Sequence, residues 1–288
     1  STTQDISGLC AGSYTVTFTD MNGCSNSANV AIGSGSGVNA GFSVNDKDQC
    51  LNGNQFDFIN LGTPQLLGSP LFSWDFGDGS GTSTLEEPSY SYSSAGAYPV
   101  TLIVDNGICS DTVTDIIFVF EGPVVSLSGT DVLCNGNCDG TATVSIISGN
   151  SPYSFQWDNG QSTSTATGLC TGTYNVTITD DKGCVTIDNY TISEPSSLSL
   201  SLTSSDLSCN GVCTGSASSV VSGGTSPYTY TWSSGQSTAT ISSLCAGTYN
   251  LTVTDLNGCT NTAGVSVNEP AILTSSTSSN TTSCNGLC

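Results

Sequence analysis

The chain contains no histidine and no arginine, and its only basic side chains are Lys47 and Lys182. Acidic residues number 23, so the formal net charge is -21 at pH 7. Binding to phosphate groups requires Lys and Arg, so this composition excludes nucleic acid and anionic membrane surfaces as partners. Without histidine, acid–base catalysis would depend on carboxylates scattered over turns, and no Gly-x-Ser-x-Gly nucleophile motif is present. We predict that the chain is not an enzyme.

The sequence also lacks long apolar runs and helical apolar spacing. No run approaches the roughly 20 residues of a membrane-spanning helix, so we expect no direct membrane insertion. Short segments rich in Thr, Val and aromatic residues alternate with period 2 instead, as in Tyr14–Thr19, and Gly, Asn or Asp turns separate them. Such spacing is typical of β-sandwiches. A β-solenoid is disfavoured, because a repeat of about 75 residues is too long for one solenoid coil.

Cysteine is abundant, with 14 residues, and its spacing is periodic. Cys134, Cys138, Cys170 and Cys184 recur 75 positions later as Cys209, Cys213, Cys245 and Cys259. Cys10 and Cys24 match the last two members of this set, and Cys284 and Cys288 match the first two. A fixed period predicts tandem units, and we expect the chain to be a piece of a longer array. The predicted domains are 1–36, 37–122, 123–195, 196–270 and 271–288.

Residues 37–122 resemble the polycystic-kidney-disease (PKD) domain, an immunoglobulin-like β-sandwich. The resemblance is carried by Trp74-Asp-Phe-Gly-Asp-Gly79, Pro88-Ser-Tyr-Ser-Tyr92 and Gly96-Ala-Tyr-Pro-Val-Thr-Leu102. Ser91 departs from the family, which often has His before its middle Tyr. Members of this family sometimes hold calcium in the turn that contains Asp75 and Asp78. These two residues are therefore candidate calcium ligands, and the alternative is that they only shape the turn.

The two 75-residue units resemble the SprB repeat of Bacteroidota surface proteins. In the first unit the matching motifs are Cys134-Asn-Gly, Ser151-Pro-Tyr-x-x-x-Trp157, Gly172-Thr-Tyr-x-x-Thr-x-Thr-Asp180 and Gly183-Cys184. The resemblance implies a cell-surface protein, the best known being a gliding-motility adhesin exported by type IX secretion. PKD-like domains act as spacers or interaction modules in such proteins. The expected fold is all-β: tandem immunoglobulin-like sandwiches, disulfide-bonded and arranged end to end.

Disulfides explain the cysteines better than zinc binding does. Zinc sites favour closely spaced pairs of cysteines (zinc knuckles) or histidine ligands, and the chain has no histidine. Units of this size have marginal cores, and paired cysteines in short units indicate an oxidising compartment. The PKD-like unit has Cys50 and Cys109 at positions that match the first and last cysteines of a repeat. We therefore predict that pairing stays within each unit, although a local Cys134–Cys138 bridge is an alternative. The predicted bridges are Cys50–Cys109, Cys134–Cys184, Cys138–Cys170, Cys209–Cys259 and Cys213–Cys245.

Aromatic residues recur at matching places in the units. Tyr14, Tyr98, Tyr174 and Tyr249 open the same strand and fit a tyrosine corner, whose hydroxyl bonds back to the backbone. Each unit also has one Trp on its third strand, where a sandwich buries it (Trp74, Trp157 and Trp232). Core packing is the favoured interpretation, and an aromatic sugar-binding platform with Tyr228 or Tyr230 is the alternative.

Together these observations predict an extracellular, cell-surface repeat region with a structural or adhesive role, as a stalk or filament. Its expected partners are neighbouring repeats of the same chain, surface polysaccharide or other cell-surface proteins. We expect no cofactor beyond the candidate calcium. The alternatives are a spacer array of a secreted hydrolase whose catalytic domain lies elsewhere, or a glycan-binding module.

Overall fold

All regular secondary structure in the described residues is β-strand. The structure is a computed structural model, and it describes residues 9, 12–33, 38–62, 70–107 and 109–278. The all-β prediction is confirmed over these residues. In this part of the chain there is no helix that could cross a membrane.

The chain forms two compact units, and each takes more than one segment of the sequence. Unit 1 comprises Ser1–Ser126, Ser145–Thr163 and Val176–Asp188. Unit 2 comprises Leu127–Val144, Ser164–Asn175 and Asn189–Cys288. The domain limits given above are sequence-based and remain predictions.

Unit 1 begins with a two-stranded antiparallel hairpin. Strands β1 (Gly12–Thr19) and β2 (Ser25–Ile32) pair in register from Gly12 opposite Ile32 to Thr19 opposite Ser25. The connecting residues, 20–24, are a tight turn that ends at Cys24. Cys10 and the Gly/Ser residues 34–37 lie outside the described residues.

A sandwich of eight strands follows in unit 1. Its larger sheet has the order β4-β10-β9-β6-β7 and its smaller sheet the order β3-β5-β8. Strand β4 runs parallel to β10, and the other pairings are antiparallel. The strands are β3 (Phe42–Val44), β4 (Asp48–Cys50), β5 (Phe56–Asn60), β6 (Leu71–Asp75), β7 (Thr82–Ser83), β8 (Ser89–Tyr90), β9 (Gly96–Asp105) and β10 (Ser110–Phe120).

The core of this sandwich follows from period-2 alternation. Along β9, Tyr98, Val100, Leu102 and Val104 are buried, as expected for a strand with one face on the core. Trp74 lies 1% exposed among them, and its Nε1 donates to the Leu85 carbonyl at 2.9 Å. The prediction that Trp74 packs in the core is therefore confirmed. The rest of the buried cluster is Phe56, Phe58, Phe76, Tyr92, Ile117 and Val119.

The two SprB-like repeats have the same strand order, displaced by 75 residues. The first has sheets β11-β12-β14 and β13-β15-β16, and the second has sheets β17-β18-β20 and β19-β21-β22. The first repeat contains β11 (Val124–Thr130), β12 (Gly140–Ser148), β13 (Ser154–Trp157), β14 (Thr165–Leu169), β15 (Gly172–Thr179) and β16 (Val185–Ile192). The second contains β17 (Ser199–Ser205), β18 (Gly215–Ser222), β19 (Thr229–Trp232), β20 (Thr240–Leu244), β21 (Gly247–Thr254) and β22 (Thr260–Val267).

The second repeat, which lies wholly in unit 2, has a core built around one tryptophan. Trp232 is 2% exposed, and its Nε1 donates to the Thr238 carbonyl at 2.9 Å. Leu251 and Val253 of β21 are fully buried beside it. Trp157 is fully buried in the same way and donates to the Thr163 carbonyl at 2.9 Å.

Three tyrosine hydroxyls bond back to the carbonyl four residues upstream. The donors and acceptors are Tyr98 to Ser94 at 2.8 Å, Tyr174 to Cys170 at 3.2 Å and Tyr249 to Cys245 at 3.0 Å. These are the predicted tyrosine corners. In both repeats the acceptor is the backbone of a cysteine, so the corner fixes that cysteine at the start of the strand. For Tyr14 the residue four positions upstream, residue 10, lies outside the described residues.

Candidate functional site

The Asp-x-x-Gly-Cys turn closes a hairpin at three places in the chain. In the second repeat Asp255 Oδ1 accepts the backbone N–H groups of Asn257 at 2.9 Å and Cys259 at 2.8 Å. Gly258 has φ 85°, a left-handed conformation that favours glycine. Asp180 and Asp20 bond in the same way to the second and fourth residues after them, at 2.8–3.0 Å. In all three turns the cysteine therefore lies at the end of the turn, directly before the return strand.

Asp255 and Asp180 are buried carboxylates with several donors. Burial acts to raise the pKa of Asp255, but the backbone N–H bonds from Thr225, Cys259 and Asn257 outweigh it and hold the pKa below its ordinary value. The pKa of Asp180 is lowered too: burial opposes this, while the Asn150 side chain and backbone N–H groups favour the charged form. The turns are thus fixed by ionised carboxylates at neutral pH.

The Cys-Asn-Gly turn is the second element of the site. Gly136 has φ 81°, and its N–H donates to Glu194 Oε2 at 2.7 Å. Asn135 Nδ2 donates to the Pro195 carbonyl at 3.1 Å. These contacts explain the Glu-Pro pair that ends each repeat, because its carboxylate and carbonyl hold the Cys-Asn-Gly turn. The turn is therefore anchored to the end of the repeat's last strand.

A disulfide joins the Cys-Asn-Gly turn of the first repeat to the Gly-Cys turn of the second. Cys134 and Cys259 are bonded, with a Cα–Cα distance of 5.7 Å. Asn257 Nδ2 donates to the Leu133 carbonyl at 3.0 Å, and the Cys259 sulfur lies 3.4 Å from the same oxygen. A bonded sulfur carries no proton, so this last approach is a contact and not a hydrogen bond. The bridge links neighbouring domains.

A second disulfide joins the sandwich of residues 42–120 to the first repeat in the same way. Cys50 and Cys184 are bonded, with a Cα–Cα distance of 5.4 Å. Lys182, two residues before Cys184, lies with Nζ 3.5 Å from Asp48 Oδ2 and 5.0 Å from the centre of the Phe120 ring. Lys182 takes the position that Asn257 has in the second repeat. In both places the third residue of the turn contacts the preceding domain.

Two further bridges lie inside the repeats. Cys138 is bonded to Cys170 and Cys213 to Cys245, with Cα–Cα distances of 3.9 and 4.0 Å. Both pairs were expected from the sequence. Each links the segment just before the repeat's second strand to the residue four positions before its tyrosine corner.

The other three predicted bridges are wrong. Cys50 bonds Cys184 instead of Cys109, Cys134 bonds Cys259 instead of Cys184, and Cys209 is a free, exposed thiol. Cys109 is itself disulfide-bonded, but not to Cys50.

Strand length explains these corrections. In the second repeat Cys259 directly precedes the eight-residue β22, whereas the Cys209 turn bonds to Glu269, just beyond its end. Eight residues at about 3.3 Å span roughly 26 Å, far beyond the reach of a disulfide. Likewise Cys109 directly precedes the 11-residue β10, whereas Cys50 lies opposite Phe120 at the far end of β10. Cys50 and Cys109 are therefore too far apart to form a disulfide.

Asp75 and Asp78, the candidate calcium ligands, lie in the Gly-rich turn after β6. Asp75 Oδ1 accepts the Gly77 N–H at 2.9 Å. Asp78 Oδ1 accepts the N–H groups of Ser80 at 2.9 Å and Gly81 at 2.7 Å, and its Oδ2 accepts the Tyr90 hydroxyl at 2.6 Å. No three His, Cys, Asp or Glu side chains form a metal-binding group in the part of the chain that the structure describes. The calcium site stays a prediction, tested by melting with and without millimolar Ca²⁺.

We expect acid to weaken this turn through Asp78. The Tyr90 hydroxyl and two backbone N–H groups lower the pKa of Asp78 to about 2. A lowered folded-state pKa stabilises the fold above the unfolded value near 3.8, and this stabilisation is lost as the pH falls toward 2. Tyr90→Phe removes the largest cause, so the pKa of Asp78 should rise toward 3.8 in a carboxyl NMR titration. An Asp78 pKa near 4 in the unchanged protein would contradict this account.

The tyrosines of the alternative sugar-binding platform are partly buried in the core of the second repeat. Tyr228 and Tyr230 both pack against the Trp232 cluster. The Tyr228 hydroxyl donates to the Gly223 carbonyl at 2.7 Å. These contacts favour packing as the role of both side chains.

Comparisons with known proteins agree with this architecture. The PKD-domain family model matches residues 45–119, and the SprB-repeat model matches 126–162 and 201–237. A search of curated proteins gives no match.

Several solved structures are similar to parts of the chain. The PKD1 domain of the Vibrio cholerae metalloprotease PrtV is 34% identical, covering 29% of this chain and 96% of that one, with a TM-score of 0.25. The PKD1 domain of Vibrio anguillarum Epp is 29% identical, covering 29% and 93%, with a TM-score of 0.25. The titin I-band fragment I67–I69 is 12% identical, covering 81% and 99%, with a TM-score of 0.38. Residues 45–119 are therefore a PKD domain and residues 126–162 and 201–237 belong to SprB repeats, so the chain contains members of both domain families.

Proposed function

We propose that this chain is a stalk-like, adhesive repeat region of a large secreted bacterial cell-surface protein, of the kind that serves as a gliding-motility adhesin. PKD and SprB-repeat domains are non-catalytic modules, and with disulfides they are typical of extracellular or cell-surface proteins. Export by type IX secretion from a Bacteroidota cell is part of this proposal. It is supported by the SprB motifs and by the oxidising environment that the disulfides require.

The observation that carries the proposal is the interleaving of the two inter-domain bridges. Cys50–Cys184 and Cys134–Cys259 overlap in sequence, and Cys138–Cys170 lies within the overlap. The shortest covalent path from Cys50 to Cys259 runs through all three bridges. Apart from the three bridges it crosses about 18 peptide units, 14 between Cys170 and Cys184 and four between Cys134 and Cys138, and it reaches roughly 80 Å at full extension. The linear chain from Cys50 to Cys259 has about 210 residues and reaches roughly 700 Å.

A surface stalk must transmit tension without lengthening, and this covalent path meets that requirement. Even if every domain between Cys50 and Cys259 unfolded under load, the bridges would prevent most of the chain from extending. A spacer in a soluble hydrolase would have no such need. Neighbouring repeats are the immediate partners, and surface polysaccharide or other surface proteins are the proposed adhesion targets.

Single-molecule force spectroscopy on the whole chain, held at its two ends, tests this proposal. The fully stretched length should increase by about 190 residues, roughly 600–700 Å, when a reducing agent opens the bridges. The control is the same measurement after the free thiols Cys24 and Cys209 are blocked, which should leave the oxidised length unchanged. If the oxidised chain already extends by several hundred ångströms between Cys50 and Cys259, the tension-bearing role is wrong.

A further inference from the structure

The two turns that dock on a preceding domain, residues 180–184 and 255–259, carry different side chains at their third position. Lys182 occupies this position in the first repeat and Asn257 in the second, each two residues before the bridging cysteine. In both turns the Asp carboxylate accepts the backbone N–H of this third residue, at 3.0 Å for Lys182 and 2.9 Å for Asn257. The backbone is held in the same way at both junctions, so the contact with the preceding domain depends on the chemistry of this side chain.

The PKD domain presents a carboxylate and an aromatic ring to Lys182. The Lys182 Nζ lies 3.5 Å from Asp48 Oδ2 and 5.0 Å from the centre of the Phe120 ring, so it makes an ion pair and a cation–π contact. Asp48 begins β4 and Phe120 ends β10, and Phe120 lies opposite Cys50, so both groups are beside the bridging cysteine. The chain has only two basic residues, and one of them is at this junction.

The first SprB repeat presents a backbone carbonyl to Asn257 instead. Asn257 Nδ2 donates to the Leu133 carbonyl at 3.0 Å and to Thr225 Oγ1, within its own repeat, at 3.1 Å. Thr225 therefore holds the amide in place for the junction. The residue that corresponds to Thr225 in the first repeat is Asn150, whose Nδ2 donates to Asp180 Oδ2 at 3.0 Å. This support is thus present beside the asparagine and replaced by a different contact beside the lysine.

We propose that the third residue of this turn selects the kind of domain on which the repeat docks. A lysine fits a PKD domain that offers the Asp48 carboxylate and the Phe120 ring. An asparagine fits an SprB repeat that offers the carbonyl directly before its Cys-Asn-Gly turn. Because the turn also carries the bridging cysteine, this side chain decides which two thiols meet before a disulfide forms. The selection concerns the order of domains and does not depend on the adhesive role.

The test measures how strongly each docked turn favours its disulfide. The whole chain is equilibrated with reduced and oxidised glutathione and quenched in acid, and mass spectrometry quantifies the Cys50–Cys184 and Cys134–Cys259 bridges. In the exchange two glutathione thiols open one protein disulfide and form one glutathione disulfide, so two electrons and two protons pass from glutathione to the protein. The equilibrium constant gives an effective concentration of the two protein thiols, which rises with the strength of the non-covalent docking.

Lys182→Met removes the charge and keeps the length of the side chain. It should lower the effective concentration of the Cys50 and Cys184 thiols about fivefold, because an exposed ion pair and a cation–π contact are lost. Lys182→Asn should lower it as much, because asparagine is too short to reach Asp48. Both effects should shrink when salt is raised from 0.1 to 1 M, since the screening length falls from about 10 to about 3 Å.

Lys47→Met is the matched control for the lost charge. Lys47 pairs with Asp115 inside the PKD domain and makes no contact with the turn at 180–184, so its substitution should leave both effective concentrations unchanged. Calorimetry of the reduced chain should show that the melting of the domains is the same for Lys182→Met as for the unchanged protein.

The second junction should respond to a different substitution. Asn257→Ala should lower the effective concentration of the Cys134 and Cys259 thiols about fivefold, the effect of one hydrogen bond, at low and high salt alike. Leu256→Ala is the control, because this neighbouring side chain is 63% exposed and should have no effect.

Two results would overturn the proposal. If Lys182→Asn keeps the full effective concentration of the Cys50 and Cys184 thiols, the third residue does not select the domain. In an Asp48→Asn background the effect of Lys182→Met should fall to about twofold, because only the cation–π contact remains to be lost. An undiminished fivefold effect in that background would show that Lys182 does not recognise the carboxylate of the PKD domain.

Discussion

Replacing Cys134 and Cys259 together by serine is expected to lower the free energy of unfolding by about 5 kcal/mol. The bridge closes a segment with a sequence separation of 125, and a loop of that length loses much conformational entropy in the unfolded chain. In calorimetry the transition that involves the second repeat should move down by roughly 20 °C. The Trp232 core itself is untouched by this change, so any loss comes from the cross-link.

Cys209→Ser is the matched control for this variant. Cys209 occupies the same turn position as Cys134, but it is free and exposed, so its substitution should leave the melting profile unchanged. If the double variant melts like the Cys209→Ser control, the Cys134–Cys259 bridge does not stabilise the protein.

Truncating the tryptophan of the second repeat should have an effect of similar size. Trp232→Ala removes a side chain that is 2% exposed and leaves the Thr238 carbonyl without its donor. Such changes cost about 3–5 kcal/mol through lost burial and the cavity left behind. Calorimetry should show one transition shifted down by about 12 °C or more, while the transition of the PKD domain, which has its own core around Trp74, stays in place.

Val220→Ala controls for substitution within the same repeat. Val220 lies on β18 but is 67% exposed, so its truncation should shift melting very little. A shift as large as that of Trp232→Ala would mean that the tryptophan is not the centre of this core.

The strands and their core faces could be read from the sequence because they are encoded locally. Alternation along Tyr98–Val104 predicts which residues face inward, and the same alternation recurs in the repeats. The tyrosine corner and the buried Trp follow from a resemblance to known sandwiches. The role of the Glu-Pro pair that ends each repeat is not encoded locally, because it holds the Cys-Asn-Gly turn through contacts between residues 58 and 60 positions apart.

The disulfide pairing could not be read from the sequence, because a periodic array offers two equivalent solutions. Cys134 has a Gly-Cys partner 50 residues downstream in its own repeat and another in the next repeat. Both candidate partners, Cys184 and Cys259, lie in the same Asp-x-x-Gly-Cys motif, so the motif alone does not separate them. Strand geometry separates them: the eight-residue β22 holds Cys259 and the Cys209 turn at opposite ends of one repeat.

The most direct test of the inter-domain cross-links is a disulfide map of the oxidised protein. Pepsin digestion at low pH suppresses thiol exchange, because exchange requires the thiolate, and tandem mass spectrometry then identifies the linked peptides. We predict peptides that join Cys50 to Cys184 and Cys134 to Cys259, with Cys209 as a free thiol. Peptides that join Cys134 to Cys184 and Cys209 to Cys259 would contradict the account, because each repeat would then be closed on itself.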